Sequence, residues 1–333
     1  MGFTPRYETD LGRGVYIAGT PMLVGLNSAI VGTATYLART DVVRSWLLNE
    51  IAAATPPPPP PPGYSTTAHL ASLSTRLYVG TGNDVGITGF VIAGSGSKRV
   101  VLRALGPSLT PYGVPGALAN PTIELRNSAG AVVAFNDDWQ TDPQAATLIA
   151  SGRAPADPLE AALAIDLPPG AYTAIVSGVA AQSGVALVEL YDQEPGVGPR
   201  RLINASTRGK VLDGAAVMIA GFVVEGTQPL NVMMRGLGPT LSTGGIVDYL
   251  RNPTLELYAA NGSLVATNDK WPNSADKDAI IATGLAPPSG YESAILKSLA
   301  PGAYTVILRG GADLPPPFNT GIGLVEVYEV PTR

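Results

Sequence analysis

Beyond residue 67 the apolar positions recur in short runs with the two-residue period of β-strands. Thr122-Ile123-Glu124-Leu125 alternates and stops at the turn signal Asn127-Ser128-Ala129-Gly130, and Ala131 to Phe135 forms the return strand of a hairpin. Val100-Val101-Leu102 is a short apolar run closed by Gly106-Pro107. Tyr172 to Val176 and Val185 to Tyr191 form a second strand pair across a Gly/Ser loop. Only Gln144 to Ala150, with its counterpart Asp278 to Thr283, has room for a helical turn or so. Upstream the pattern changes. Thr40 or Asp41 is placed to cap a helix over Val42 to Ala53, with Val43, Trp46, Leu47 and Ile51 on one face. Before it, Val15-Tyr16-Ile17 and Met22 to Leu26 read as a strand pair around Gly19-Thr20-Pro21.

The strand-rich region is one unit written twice. Ser74-Thr75-Arg76 recurs as Ser206-Thr207-Arg208, Gly89-Phe90-Val91 as Gly221-Phe222-Val223, and Asn120-Pro121-Thr122 as Asn252-Pro253-Thr254. Asn136-Asp137 and Trp139 recur as Asn268-Asp269 and Trp271, and Pro169 to Thr173 as Pro301 to Thr305. The offset is constant at 132 until the last strand, where Leu187-Val188-Glu189 matches Leu324-Val325-Glu326 at 137. The five extra residues fall in the loop around Asp313 to Pro317. A constant offset with one loop insertion marks a duplication, and each copy is long enough to be a domain with its own core. Seven prolines at 56–62 form a stiff spacer before the first copy. The expected organisation is an N-terminal strand-and-helix segment (1–54), a polyproline linker (55–66), and two repeats (67–195 and 199–331). The fold class is all-β, two tandem β-sandwich, jelly-roll-like domains.

Composition narrows the chemistry. Charged residues are only 14% of the 333 and the net charge is −5, so no basic field exists to hold a phosphate backbone and nucleic acid is not an expected partner. With no cysteine, thiol catalysis, disulfides and zinc-thiolate sites drop out. His69 is the sole histidine, so a two-histidine metal site within the chain is excluded; its place just past the spacer predicts a solvated side chain. No uninterrupted apolar stretch reaches the roughly 18 residues of a membrane span. The opening residues lack a basic start followed by an apolar run, so no secretory leader is expected at Met1.

Two resemblances rest on these residues. The N-terminal 52 residues resemble the closing part of a trypsin-like serine protease, in which a Gly-Asp-Ser-Gly-Gly-Pro loop precedes a strand pair and a final helix. Thr9-Asp10-Leu11-Gly12-Arg13-Gly14 stands at the loop position, Asp10 and Gly12 matching. Leu11 occupies the nucleophile position without a hydroxyl, and Arg13 and Gly14 depart from the pattern, so the resemblance implies an inactive remnant. The repeats, over roughly 115–192 and 247–330, resemble the pre-peptidase C-terminal β-sandwich modules of secreted bacterial proteases. The resemblance is carried by Asn-Asp, Trp, Leu-x-Pro-Gly-Ala-Tyr-Thr and a final Val-Glu-x-Tyr strand. It implies a non-catalytic, extracellular or cell-surface role in secretion, attachment or binding of polymer.

Asn136, Asp137 and Asp138 are a candidate calcium site, since clustered oxygens at a strand end suit a hard cation and Glu124 lies on the paired strand. The second copy has Lys270 in place of the third ligand. The alternative is a turn in which Asn and Asp bond local backbone while Trp139 packs beneath. Arg103 and Arg235, Glu189 and Glu326, and Glu160 and Glu292 match across the copies, which suggests Arg–carboxylate pairs between strands, with catalytic acids as the sharper alternative. Trp139, Trp271, Tyr172 and Tyr304 form either core or a sugar-stacking platform. Gly94-Ser95-Gly96-Ser97-Lys98 is like a phosphate loop only superficially, because no helix follows it. The expectation is a non-enzymatic binding or attachment protein whose partner is a surface polysaccharide or a protein. The alternatives are the tail of a secreted serine protease, or a structural subunit of an extracellular assembly.

Overall fold

A computed structural model describes residues 67–194 and 200–330, preceded only by the short strand pair Tyr16–Ile17 and Thr20–Pro21. The protease-like loop, Met22 to Leu26, the expected helix at 42–53 and the proline run lie outside the described residues.

Each copy contributes eight strands. In the first these are β1 (Ala68–Val79), β2 (Gly86–Ala93), β3 (Lys98–Leu105), β4 (Pro121–Asn127), β5 (Val132–Asn136), β6 (Ala161–Leu167), β7 (Gly170–Gly178) and β8 (Gly184–Asp192). In the second they are β9 (Arg201–Val211), β10 (Met218–Gly226), β11 (Leu230–Leu237), β12 (Pro253–Ala259), β13 (Leu264–Asn268), β14 (Ser293–Leu299), β15 (Gly302–Gly310) and β16 (Gly321–Glu329). The helical turns expected after β5 and β13 are α1 (Ala145–Ala150) and α2 (Lys277–Thr283).

Strand order within the first copy is β1-β8-β3-β6 in one layer and β2-β7-β4-β5 in the other, all antiparallel. The second copy repeats it as β9-β16-β11-β14 and β10-β15-β12-β13. That order, with the outer strands of the chain meeting in one sheet and the next pair in the other, is the eight-stranded jelly roll. β1 shows the local cause: Leu73, Leu77 and Val79 enter the core while Ser72, Ser74, Arg76 and Tyr78 stand half-buried on the other face. The Gly-Pro turns after β3 and β11 bring backbones together. A Cβ on Gly106 would stand 1.9 Å from the Leu118 carbonyl oxygen, and one on Gly238 1.8 Å from that of Leu250, so only glycine fits.

The copies are not separate bodies with separate cores, which corrects the expectation of one core per repeat. β1 pairs along its length with β10 of the second copy, and β9 pairs with β2 of the first. Each layer is therefore an eight-stranded sheet, half from each copy. One apolar cluster runs through both, with Leu73, Phe90 and Val188 from the first copy and Ala205, Phe222 and Val325 from the second. The physical reason is edge exposure: β1 and β2 end one roll, β9 and β10 the other, and pairing them satisfies four rows of backbone donors and acceptors at once. Thr75 and Thr207, equivalent positions in the duplication, hydrogen-bond to each other at 2.9 Å. Equivalent residues meet in this way only at a two-fold axis, so an internal pseudo-two-fold passes between them. A cavity of about 10 Å³ lies there, lined by Thr75, Thr88 and Thr207 among apolar neighbours. The join is reinforced from the loops: Lys210 Nζ lies 3.1 Å from Asp84 Oδ2, and Arg208 donates to the Asn83 carbonyl.

Candidate functional site

Three matched pairs of charges, Arg103 and Arg235, Glu189 and Glu326, and Glu160 and Glu292, build two structural devices. The first is an Arg–Glu–Tyr triad between β3 and β8, repeated between β11 and β16. Arg103 stands opposite Glu189 in the strand register, as Arg235 does opposite Glu326. Arg103 Nε donates to Glu189 Oε2 at 2.7 Å, and its Nη2 also pairs with that oxygen. The Tyr191 hydroxyl donates to Glu189 Oε1 at 2.7 Å. Arg103 Nη1 caps the Arg153 carbonyl at 3.1 Å. In the second copy Arg235 Nε donates to Glu326 Oε2 at 2.6 Å, Tyr328 donates to Glu326 Oε1 at 2.8 Å, and Arg235 Nη1 caps the Leu285 carbonyl at 3.0 Å. Burial alone would lower the Arg235 affinity for its proton, but Glu326 and Tyr328 outweigh it and hold the group above its ordinary value. Burial pushes the Tyr328 hydroxyl well up, and Tyr191 up, with Glu189 adding to the second.

The second device uses Glu160 and Glu292, both fully buried. Glu160 accepts from the backbone N–H groups of Gly106 (2.9 Å) and Ser108 (2.8 Å) and from Ser108 Oγ (2.6 Å). Glu292 accepts from Gly238 (3.1 Å), Thr240 (2.8 Å), Thr240 Oγ1 (2.7 Å) and Ser289 (3.2 Å). Each carboxylate satisfies the donors exposed where the chain turns sharply through Gly-Pro. Burial raises the Glu292 pKa, and the four hydrogen bonds pull against it. These acids do not face each other across a cleft: each is closed by its own turn.

Asn136, Asp137 and Asp138 sit at the end of β5, but they do different things. Asn136 is buried, its Oδ1 accepting from the Ala162 N–H at 3.0 Å and its Nδ2 donating to the Asp138 carbonyl at 3.0 Å. Asn268 repeats the first bond to Ala294. Both ends of the Asn136 amide thus tie β5 to β6 and to its own turn. Glu124 is held by Arg126 at 2.6 Å. Among the described residues no group of three or more acidic or histidine side chains is placed to hold a metal ion.

The aromatic positions are not gathered into a platform. Tyr172 stacks on Phe90, and Tyr304 on Phe222, each with ring centroids 5.5 Å apart. Trp139 packs with Val101 and Leu148 and donates to the Asp157 carbonyl, as Trp271 does to that of Ser289.

His69 departs from its expected solvation. It lies within β1 and is 5% exposed, because β10 of the second copy runs alongside it. Burial lowers its pKa, and Glu225, 3.8 Å away on β10, pulls the other way. Nearby, Lys98 pairs with Asp192 at 2.7 Å with both side chains 2% exposed, so this lysine is a core ion and not part of a phosphate loop. At the second copy's end Arg201 lies 3.3 Å from Glu329 and donates to the Ala68 carbonyl. Burial lifts Glu329 to about 7 although Arg201 opposes it. These pairs escaped the sequence reading because Lys98 has an apolar counterpart, Leu230, and His69 and Arg201 are equivalent positions with unlike side chains. The tyrosine of each triad was legible, since Glu189-x-Tyr191 and Glu326-x-Tyr328 place both groups on one strand face.

No family model and no curated protein matches the chain. Among solved structures, a DUF4785 family protein from Legionella pneumophila is similar over 80% of this chain, at 7% identity and a TM-score of 0.22. The match spans 64% of that protein.

Proposed function

We propose that the chain is a non-catalytic, exported binding or attachment module whose partner is a surface polysaccharide or a protein. One observation carries this reading: three of the charged pairs kept in both copies, Arg103 and Arg235, Glu189 and Glu326, and Glu160 and Glu292, are engaged by their own strands and turns. Each carboxylate already accepts from several donors, which opposes its use as an acid, base or nucleophile. The duplicated rolls offer two like surfaces on one frame, an arrangement that raises avidity for a repetitive partner.

The test is retention of the full chain on immobilised cell-envelope polysaccharide and on surface-protein extracts, alongside assays for peptide-bond and glycoside cleavage. Saturable retention with the partner recovered intact supports the reading. Turnover of a defined substrate, abolished by Glu189→Gln or Glu326→Gln in a folded variant, contradicts it.

A further inference from the structure

The internal two-fold is broken at one buried position, and the cavity on the axis lies beside it. In the strand register Thr207 of β9 stands opposite Thr88 of β2, and Thr75 of β1 stands opposite Ala220 of β10. These are equivalent pairs of the duplication, yet only the first joins two hydroxyls, Thr88 Oγ1 lying 3.3 Å from Thr207 Oγ1. At the second pair alanine leaves Thr75 without the hydroxyl that symmetry would supply. Thr75 bonds Thr207 instead, 2.9 Å away. All four residues are buried, and all four line the cavity of about 10 Å³, with Leu73, Val188 and Val325 among its apolar neighbours.

The protons of this cluster do not balance. Thr75, Thr88 and Thr207 carry three O–H donors, and the two contacts among their hydroxyls use two of them. Among the described residues these hydroxyls make no other hydrogen bond, so one donor is left over in any arrangement. An unmet donor in a buried site is costly. We propose that the cavity binds one water molecule, which stands where a hydroxyl on residue 220 would stand and bridges the two copies. The water accepts the surplus proton and donates to the lone pairs that the other hydroxyls keep free, within the two to four bonds that a buried water makes. A void of this size admits about one water molecule and nothing larger, and its hydroxyl wall distinguishes it from an apolar void, which stays dry. The bridge is part of the junction itself, since its partners come from β1 and β2 of the first copy and β9 of the second.

Position 220 tests this in the full chain, because a hydroxyl supplied there takes the water's place. Ala220→Thr copies Thr88, Ala220→Val has the same shape without the hydroxyl, and Ala220→Ser adds the hydroxyl with less bulk. Magnetic relaxation dispersion of the water oxygen counts long-lived internal waters, and urea unfolding gives the stability of each variant. The expected result is one long-lived water fewer than in the parent chain for Ala220→Thr and Ala220→Ser. The unfolding constant of Ala220→Val should exceed that of Ala220→Thr at least about fivefold, the worth of roughly one net hydrogen bond. Circular dichroism identifies the folded variants, and Ala220→Ser carries the water count if Ala220→Thr is not among them. A count unchanged in a folded hydroxyl variant overturns the inference. So does an Ala220→Val chain as stable as Ala220→Thr, because a dry cavity gives the added hydroxyl no advantage over a methyl group.

Discussion

The two Arg–Glu–Tyr triads share their bonds but not their surroundings. In the first copy the arginine and glutamate side chains are 15% and 9% exposed; in the second they are 8% and 0% exposed. The residue whose carbonyl caps the arginine is Arg153 in one and Leu285 in the other. Leu285 packs into an apolar cluster with Met233, Ile280 and Tyr328. Arg153 instead lays its guanidinium over the Tyr191 ring, 3.9 Å from the centroid. The comparison separates what the fold requires from what it tolerates. The jelly roll needs the cross-strand pair and the carbonyl cap, because they close a strand junction and a loop end together. The residue at the cap bonds the arginine through its carbonyl, and its side chain packs on the triad's tyrosine as a cation in one copy and as an apolar group in the other.

Breaking the triad separates the copies most strongly. Arg235→Ala leaves Glu326 buried without its counter-charge and should cost about 3–5 kcal/mol, whereas Arg103→Ala, whose Glu189 is nearer solvent, should cost about 1–3 kcal/mol. Urea denaturation measures both, and equal losses would erase the distinction drawn from burial.

A smaller effect distinguishes the junctions at the ends of β8 and β16. Glu329 binds its proton more tightly in the folded chain than in the unfolded one, so the folded state holds more protons between pH 4.5 and about 7. Its contribution is fully present below pH 4.5 and is lost as pH rises through that window. Relative to Glu329→Gln, the parent chain should lose on the order of 1–3 kcal/mol between those limits and nothing more above them. A pH series of thermal or denaturant midpoints for the two proteins gives the difference, and a flat difference would contradict the assignment to Glu329. The smallest effect sharpens the comparison by making the first copy like the second. Arg153→Leu exchanges a partly exposed cation–π contact for apolar contact and should change stability by less than about 1 kcal/mol.

The strand pattern, the hairpins and the duplication were legible because each depends on local period or exact repetition. Glu160 and Glu292 showed themselves as a matched pair of acids, but their bonds to the N–H groups of Gly106 and Gly238 span 54 residues and leave no spacing to read. The bond of Asn136 was equally hidden, because the N–H that donates to its amide oxygen belongs to Ala162, 26 residues away. Least legible was the join between the copies. A duplicated sequence says that two like units exist, and the same alternation in β1 serves an open edge or a paired one equally well. Only the burial of His69 beneath β10 distinguishes them, and that burial is a property of the assembled sheets.

The merging of the two rolls into one cooperative body is tested most directly by following each copy through its own tryptophan. With Trp46 replaced by phenylalanine, Trp271→Phe leaves Trp139 to report on the first copy and Trp139→Phe leaves Trp271 to report on the second. Urea unfolding should give one transition, with the same midpoint and slope from either reporter, and Arg235→Ala in the second copy should shift the Trp139 transition as far as the Trp271 transition. Two separate midpoints, with Arg235→Ala moving only that of Trp271, would contradict a shared core and leave two independent rolls on one chain.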